Sequence, residues 1–314
     1  MTHEQSRSRD GSPPDRSHLT TEERHPRSTR LHELSVAECV ELIHQADLEM
    51  LDAVSRARPA LVRFIEAAAP RFAAGGRLVY LGAGTSGRLG ALDASEAPPT
   101  FQVAHDRVVG LIAGGDAALR RSSEGLEDDP TGARPDLDAL GLNHDDILLG
   151  VAAGGTTPYV LGGLEYAQSI AKPPLIGLLV CARIDRPSFV DHFVVIETGP
   201  EIVTGSTRMK AGSATKLALN AISTTLMIQS GRVYENLMVD LRATNDKLRD
   251  RAARIISTLT GLSREEAFRA LDDAAGSVKA AIVMRRLGVD RATAEARLTD
   301  FDGRLDRALA PSRP

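Results

Sequence analysis

Five short apolar runs, each followed by a helical stretch, constrain this chain more than any other feature. Leu78–Leu81, Val108–Ala113, Ile147–Val151, Leu175–Cys181 and Phe193–Ile196 are continuous and rich in Leu and β-branched residues. Strands buried on both faces read this way, because neither face meets water. Helical patterns over about 88–96, 117–127, 158–171 and 208–230 alternate with them. The alternation implies an α/β fold, a parallel sheet wrapped by helices on both faces. A hydrophobic content of 42% is enough to fill its core.

The flanks read differently. Residues 1–30 are polar, Pro-containing and without periodicity, which predicts a mobile tail at least as far as Leu19. Val36, Val40, Ile43 and Leu48 then predict one helix, and Leu61, Phe64, Ile65 and Phe72 a second, stopped by Gly75-Gly76. After about residue 244 strands cease. Ser263-Arg-Glu-Glu266 is a capping box, and helices are expected over Val278–Leu287 and Ala292–Leu298, the latter capped by Asp290. The expected division is a tail (1–30), an α/β domain with N-terminal helices (31–243) and a small C-terminal helical bundle (244–314).

Several function classes recede on charge and composition. A net charge of −4 argues against a nucleic-acid or anionic-membrane surface as the main business. Cys39 and Cys181 form neither a disulfide framework nor a zinc signature, and the eight histidines have no ligand spacing. No run approaches the roughly 20 apolar residues of a membrane span, and the polar N-terminus is unlike a secretory signal. A cytoplasmic protein without a metal is the expectation.

Three loops carry the chemistry. The first strand runs into Gly82-Ala-Gly84-Thr85-Ser86-Gly87, formally G-x-G-x-x-G. A dinucleotide reading requires an acidic residue at the end of the next strand, about 20 residues on. Asp116 comes too late and follows Gly114-Gly115. Two hydroxyls beside free N–H groups at a helix N-terminus suit a single terminal phosphate instead. The third strand ends in Gly154-Gly155-Thr156-Thr157, before Pro158 at a helix start, and a third loop carries Thr204-Gly205-Ser206-Thr207-Arg208-Met209-Lys210. Loops at the carboxyl ends of parallel strands converge on one crevice, so a phosphate-bearing polar ligand is expected, with Gly84, Thr85, Ser86, Gly154, Thr156, Thr157, Ser206, Thr207 and Lys210 around it. Lys210 and Arg208 are candidates to neutralise an anion; a solvated helix start is the plain alternative.

Longer stretches bring a family into view. Gly82-Ala-Gly-Thr-Ser-Gly-Arg-Leu-Gly90 with Asp93-Ala-Ser-Glu-Ala-Pro-Pro-Thr100 resembles the signature of N-acetylmuramic acid 6-phosphate etherases. Glu124-Gly-Leu-Glu-Asp128, Thr156-Thr-Pro-Tyr-Val160, Val203–Gly212, Asn236–Asp240, Ala243-Thr-Asn245 and Thr21-Glu-x-Arg24-x-Pro26 extend the likeness over about residues 20–300. The resemblance implies a homodimeric enzyme with a sugar isomerase (SIS) type three-layer α/β sandwich and no cofactor. Its reaction would be elimination across C2–C3 of the opened phosphosugar, followed by addition of water. The family's two glutamates map onto Glu96 and Glu127. A proton on C2 lies beside the C1 aldehyde and can leave to a carboxylate, whereas the C3 ether oxygen needs a proton to depart. The reaction therefore takes one basic and one acidic carboxyl group. Glu127 is assigned as base, with Glu124 as its competitor, and Glu96 as acid. Gly154-Gly155-Thr156-Thr157 departs from the family's common Ser-Gly-Arg-Thr, and His25 stands where Asn is usual. A phosphosugar isomerase and a non-catalytic phosphosugar sensor are the alternatives. A DNA-binding regulator of this fold is disfavoured, since no basic helix-turn-helix precedes the domain.

Overall fold

A computed structural model describes residues 15–121, 124–241 and 245–310. The first fourteen residues of the expected tail lie outside this range, as do Ala243 and Thr244 of the Ala243-Thr-Asn245 motif.

The five expected strands form one parallel sheet: β1 (Leu78–Gly82), β2 (Val108–Ile112), β3 (Ile147–Val151), β4 (Leu175–Val180) and β5 (His192–Val195), in the order β2-β1-β3-β4-β5. The order reverses between β1 and β3, which splays the loops leaving these two strands and opens a crevice above their carboxyl ends. Both faces of the sheet are covered. Leu78 and Tyr80 pack with α1 (Val36–Ala73), α2 (Gly84–Phe101) and α5 (Lys210–Gln229), whereas Val79 and Leu81 pack with α3 (Arg134–Leu140) and α4 (Pro158–Ser169).

Three local expectations are corrected. The two N-terminal helices are one helix, because a single stripe (Leu42, Ala46, Met50, Ala53, Ala57, Leu61, Phe64, Ala68, Phe72) is buried along its whole length. Val36, Val40 and Leu48, whose spacing pointed to the helix, lie outside this stripe at 83%, 46% and 65% exposure. The helix expected over 117–127 is replaced by 3-10 turns at Gly115–Leu119 and Glu124–Leu126. Gly114 and Gly115, both at positive φ, end the strand in a conformation from which an α-helix does not start, and Gly125 adds a second weak point. The third correction concerns the tail. From Leu19 onward it is part of the folded domain, with Leu19, Thr21 and His25 buried.

Beyond the sheet, Val233–Tyr234 (β6) and Leu237–Met238 (β7) make a short hairpin that periodicity alone did not indicate. Helices α6 (Asp246–Thr260), α7 (Arg264–Asp273), α8 (Val278–Leu287), α9 (Arg291–Asp300) and α10 (Leu305–Ala308) enclose a separate core that also takes in Val239 and Leu241. The capping box at Ser263 and the cap at Asp290 are both formed. Lys279, 6% exposed, fastens this unit: its ammonium donates to the carbonyls of Gly231 and Gly303 and to Asp240 Oδ2 at 2.7 Å. Among the described residues no helix is long and apolar enough to cross a membrane.

Candidate active site

The first loop turns sharply from β1 into α2. Gly84 takes φ +51°, and Gly87 packs so closely on the strand end that a Cβ there would lie 2.9 Å from the Gly82 carbonyl oxygen. Glycine is required at both places. Thr85 and Ser86 follow in the first turn of α2, half-buried, where unpaired N–H groups and the positive end of the helix dipole favour an anion.

Glu127 comes to the same place from a distant stretch. A Cβ on Gly84 would stand 3.0 Å from Glu127 Oε1, so the carboxylate lies against the head of α2. Its backbone is fixed as well: the Tyr159 N–H, in the first turn of α4, donates to the Glu127 carbonyl at 3.0 Å. The Thr-Thr-Pro-Tyr segment thus anchors Glu127, a role that its sequence did not announce.

The third loop closes on the first. A Cβ on Gly212 would meet the Thr207 carbonyl oxygen at 3.4 Å and Thr85 Cγ2 at 3.5 Å. Ser206 and Thr207 are half-buried, while Arg208 is exposed. Lys210 departs from expectation. It is 3% exposed, and its Nζ donates to the Thr198 carbonyl at 2.7 Å. The N–H groups that open α5, those of Lys210 and Ala211, already donate to the fully buried Glu201 at 3.0 and 2.9 Å. Burial pushes the Lys210 ammonium down, opposed by the Glu201 charge, and pushes the Glu201 carboxyl up, opposed by those N–H bonds. Lys210 therefore builds the third loop from within instead of facing the crevice. Sequence reasoning missed Glu201, since a carboxylate nine residues before a helix start is not a local cap pattern.

The second loop leaves β3 beside the first, as Gly82 and Val151 are partners in the sheet. Gly154, Thr156 and Thr157 are half-buried. At Gly154 a Cβ would meet nothing closer than 3.6 Å, so packing does not demand glycine where the family commonly has Ser. Its neighbours are Leu19 Cδ1 and Thr21 Oγ1 of the N-terminal arm, which crosses over this loop, and a Cβ on Gly205 would be 3.2 Å from Glu22 Oε2. His25, 4% exposed, accepts from the Arg27 N–H through Nδ1. Burial first, then the charges of Lys210 and Arg27, lower its affinity for a proton. The arm is thus a wall of the second and third loops, foreshadowed only by the Thr21-Glu-x-Arg24 match.

Glu96 is not with the others. It is exposed on α2, twelve residues beyond Gly84, which at 1.5 Å per residue is about 18 Å along the helix. Within one chain the two glutamates are apart. Among the described residues no cluster of three or more His, Cys, Asp or Glu is arranged to hold a metal ion.

A 2-1-3-4-5 parallel sheet with hydroxyl- and glycine-rich loops at its switch point is a doubly wound α/β domain with a ligand crevice, and its family match makes it of the sugar isomerase (SIS) type. Residues 60–168 match the family described as the N-terminal SIS domain of glucokinase regulatory protein, and residues 235–299 match the C-terminal lid domain of that protein. The chain belongs to the N-acetylmuramic acid 6-phosphate etherase family. The etherase of Synechococcus sp. (strain CC9605) is 50% identical over 94% of this chain and 93% of its own length. Etherase 1 of Bacillus licheniformis is 44% identical over 93% and 96%, and the etherase of Rhodopirellula baltica 46% over 93% and 96%. Among solved structures, a phosphoheptose isomerase from Neisseria gonorrhoeae superposes with a TM-score of 0.42 at 18% identity, over 61% of this chain and 98% of that one.

Proposed function

We propose that this chain is a carbon–oxygen lyase that cleaves the D-lactyl ether of N-acetylmuramic acid 6-phosphate, giving N-acetylglucosamine 6-phosphate and D-lactate, in cytoplasmic amino-sugar recycling. The observation that carries the reading is the Glu127 carboxylate set against Gly84, at the head of the helix whose Thr85 and Ser86 suit a phosphate. In the open-chain sugar Glu127 removes the C2 proton, forming an enolate with the C1 aldehyde. The C3–O bond then breaks as Glu96 gives its proton to the leaving lactate oxygen. Water adds at C3, losing a proton to Glu96, while C2 regains one from Glu127. Incubation with N-acetylmuramic acid 6-phosphate should release D-lactate in step with N-acetylglucosamine 6-phosphate. Absence of D-lactate from a folded sample refutes the reading. The lid-domain match brings a phosphosugar sensor into consideration, but a sensor has no need of both Glu96 and Glu127.

We further infer a homodimer in which Glu96 of one protomer completes the site holding Glu127 of its partner. The separation of the two residues within a chain supports this. So do Leu92, one turn before Glu96 and 44% exposed, and Leu217 and Ile228 of the adjoining α5 at 38% and 44%. The Asn236–Asn245 stretch, polar yet embedded in apolar sequence, also suits an interface as sequence, but two of its residues are used within the chain: Val239 is buried and Asp240 pairs with Lys279 and Arg232. If the sites are shared, mixing inactive Glu96→Gln and Glu127→Gln proteins under conditions of subunit exchange restores about a quarter of wild-type activity, since half the dimers carry one intact site of two. No recovery despite exchange rejects the shared site.

A further inference from the structure

The turn of α2 that carries Glu96 has lost part of its backbone support. Pro98 and Pro99 lie inside the helix. Neither has an N–H to give the carbonyls of Ala94 and Ser95, four residues earlier, and each ring crowds the carbonyl that it faces. A proline in a helix interior weakens the helix, and here two stand within one turn of Glu96. The helix nevertheless continues to Phe101.

Side chains supply the missing hold. Asp93, directly before the two residues whose carbonyls the prolines leave free and three residues before Glu96, is 7% exposed. The Tyr80 hydroxyl on β1 donates to its Oδ2 at 2.8 Å, and the Ser223 hydroxyl on α5 donates to its Oδ1 at 3.2 Å. Tyr80 is 1% exposed and Ser223 7%. Gly90, one turn earlier, lets α2 settle onto β1: a Cβ there would come 2.8 Å from Tyr80 Cβ. Asp93 thus ties α2 at once to the sheet beneath it and to the helix beside it. Burial pushes its carboxyl up, so neutralising it costs less than for an exposed aspartate.

We propose that Asp93, gripped by Tyr80 and Ser223, is a positioning residue that fixes the Glu96 turn of α2 in place of the backbone bonds that Pro98 and Pro99 cannot make. It acts through Glu96 and does not touch substrate. The inference rests on the assignment of Glu96 as the acid under the proposed function.

The test follows two signals in the same full-length protein: release of D-lactate, which needs both glutamates, and exchange of the C2 proton with solvent deuterium, which needs only the base. Asp93→Ala is expected to lower lactate release by about 10²-fold, the loss typical of a catalytic group displaced by about 1 Å. C2 exchange should stay within about threefold of wild type, because Glu127 is untouched. Asp93→Asn should stay within about fivefold in both signals, since an amide accepts from Tyr80 through its oxygen and donates to Ser223 through its nitrogen. If Asp93→Ala does not fold, Tyr80→Phe removes one of the two grips and should show the same selective loss at about tenfold. Parallel loss of both signals, or unchanged lactate release, in the folded variant overturns the proposal. Glu96→Gln separates the two levels of failure. If it releases lactate at the wild-type rate, the acid is assigned wrongly and the proposal falls with it. If it is inactive while the Asp93 and Tyr80 variants show no selective loss, the grip alone is refuted.

Discussion

Glu127→Gln is expected to abolish exchange of the C2 proton and to lower turnover by about 10²–10⁴, the contribution of one positioned base. The substitution keeps shape and removes only the capacity to take a proton. Its effect should be chemical and not structural, because the Tyr159 N–H holds the backbone carbonyl of residue 127 whatever the side chain. The carboxylate lies against Gly84 at the head of α2, beside the loop that carries Thr85 and Ser86. Glu96→Gln should also block turnover, but with some exchange remaining, since that residue acts after the enolate has formed. Glu124 is the control. It falls in a 3-10 turn before Glu127 and not on a continuous α-helix with it. Loss of exchange in Glu124→Gln with exchange retained in Glu127→Gln would falsify the assignment.

The second large effect concerns the phosphate. Thr85 and Ser86 present hydroxyls and backbone N–H groups together at the start of α2, and such a terminus can share a dianion without a neighbouring cation. With Lys210 turned inward on the Thr198 carbonyl, hydroxyls and helix terminus carry more of the task than its sequence position suggests. Thr156 and Thr157 stand on the adjacent strand end. Hydrogen bonds to a charged group contribute about 1.5–3 kcal/mol each, so three of them correspond to at least about 10³ in binding. The kcat/KM for N-acetylmuramic acid 6-phosphate should exceed that for the unphosphorylated sugar by at least this factor. A ratio within about ten, or 1.4 kcal/mol, would place the phosphate elsewhere.

What could be read from the sequence was what period and punctuation encode. Strands buried on both faces are continuous apolar runs, so all five were legible, as were the capping box at Ser263 and the cap at Asp290. α1 was misread because Val36, Val40 and Leu48 are more conspicuous than the Ala-rich stripe that is actually buried, where Ala46, Ala53, Ala57 and Ala68 let helices approach closely. The helix read over about 88–96 runs on as α2 to Phe101 with Pro98 and Pro99 inside it, a length that local rules on proline do not give. Loop chemistry put Thr85 and Ser86 at a helix start, where α2 does begin, because that placement depends only on position along one helix. It misjudged Lys210, whose role depends on Glu201 and Thr198. The distance between Glu96 and the crevice was beyond reach altogether, because motif order gives no spatial separation.

The fastening at Lys279 bears on how this chain could be cut, shuffled or inherited. Its acceptors come from Gly231, Asp240 and Gly303, three points well separated along the sequence. A buried ammonium stripped of its partners costs about 3–5 kcal/mol, a large share of the 5–15 kcal/mol by which a typical domain is stable. A break anywhere between these positions parts Lys279 from at least one of its acceptors. The C-terminal helices have a core of their own, but cut away after Asp240 they would leave behind two of the three acceptors of their buried ammonium. They and the hairpin before them can be exchanged between relatives only as a single block, together with the residues that receive Lys279.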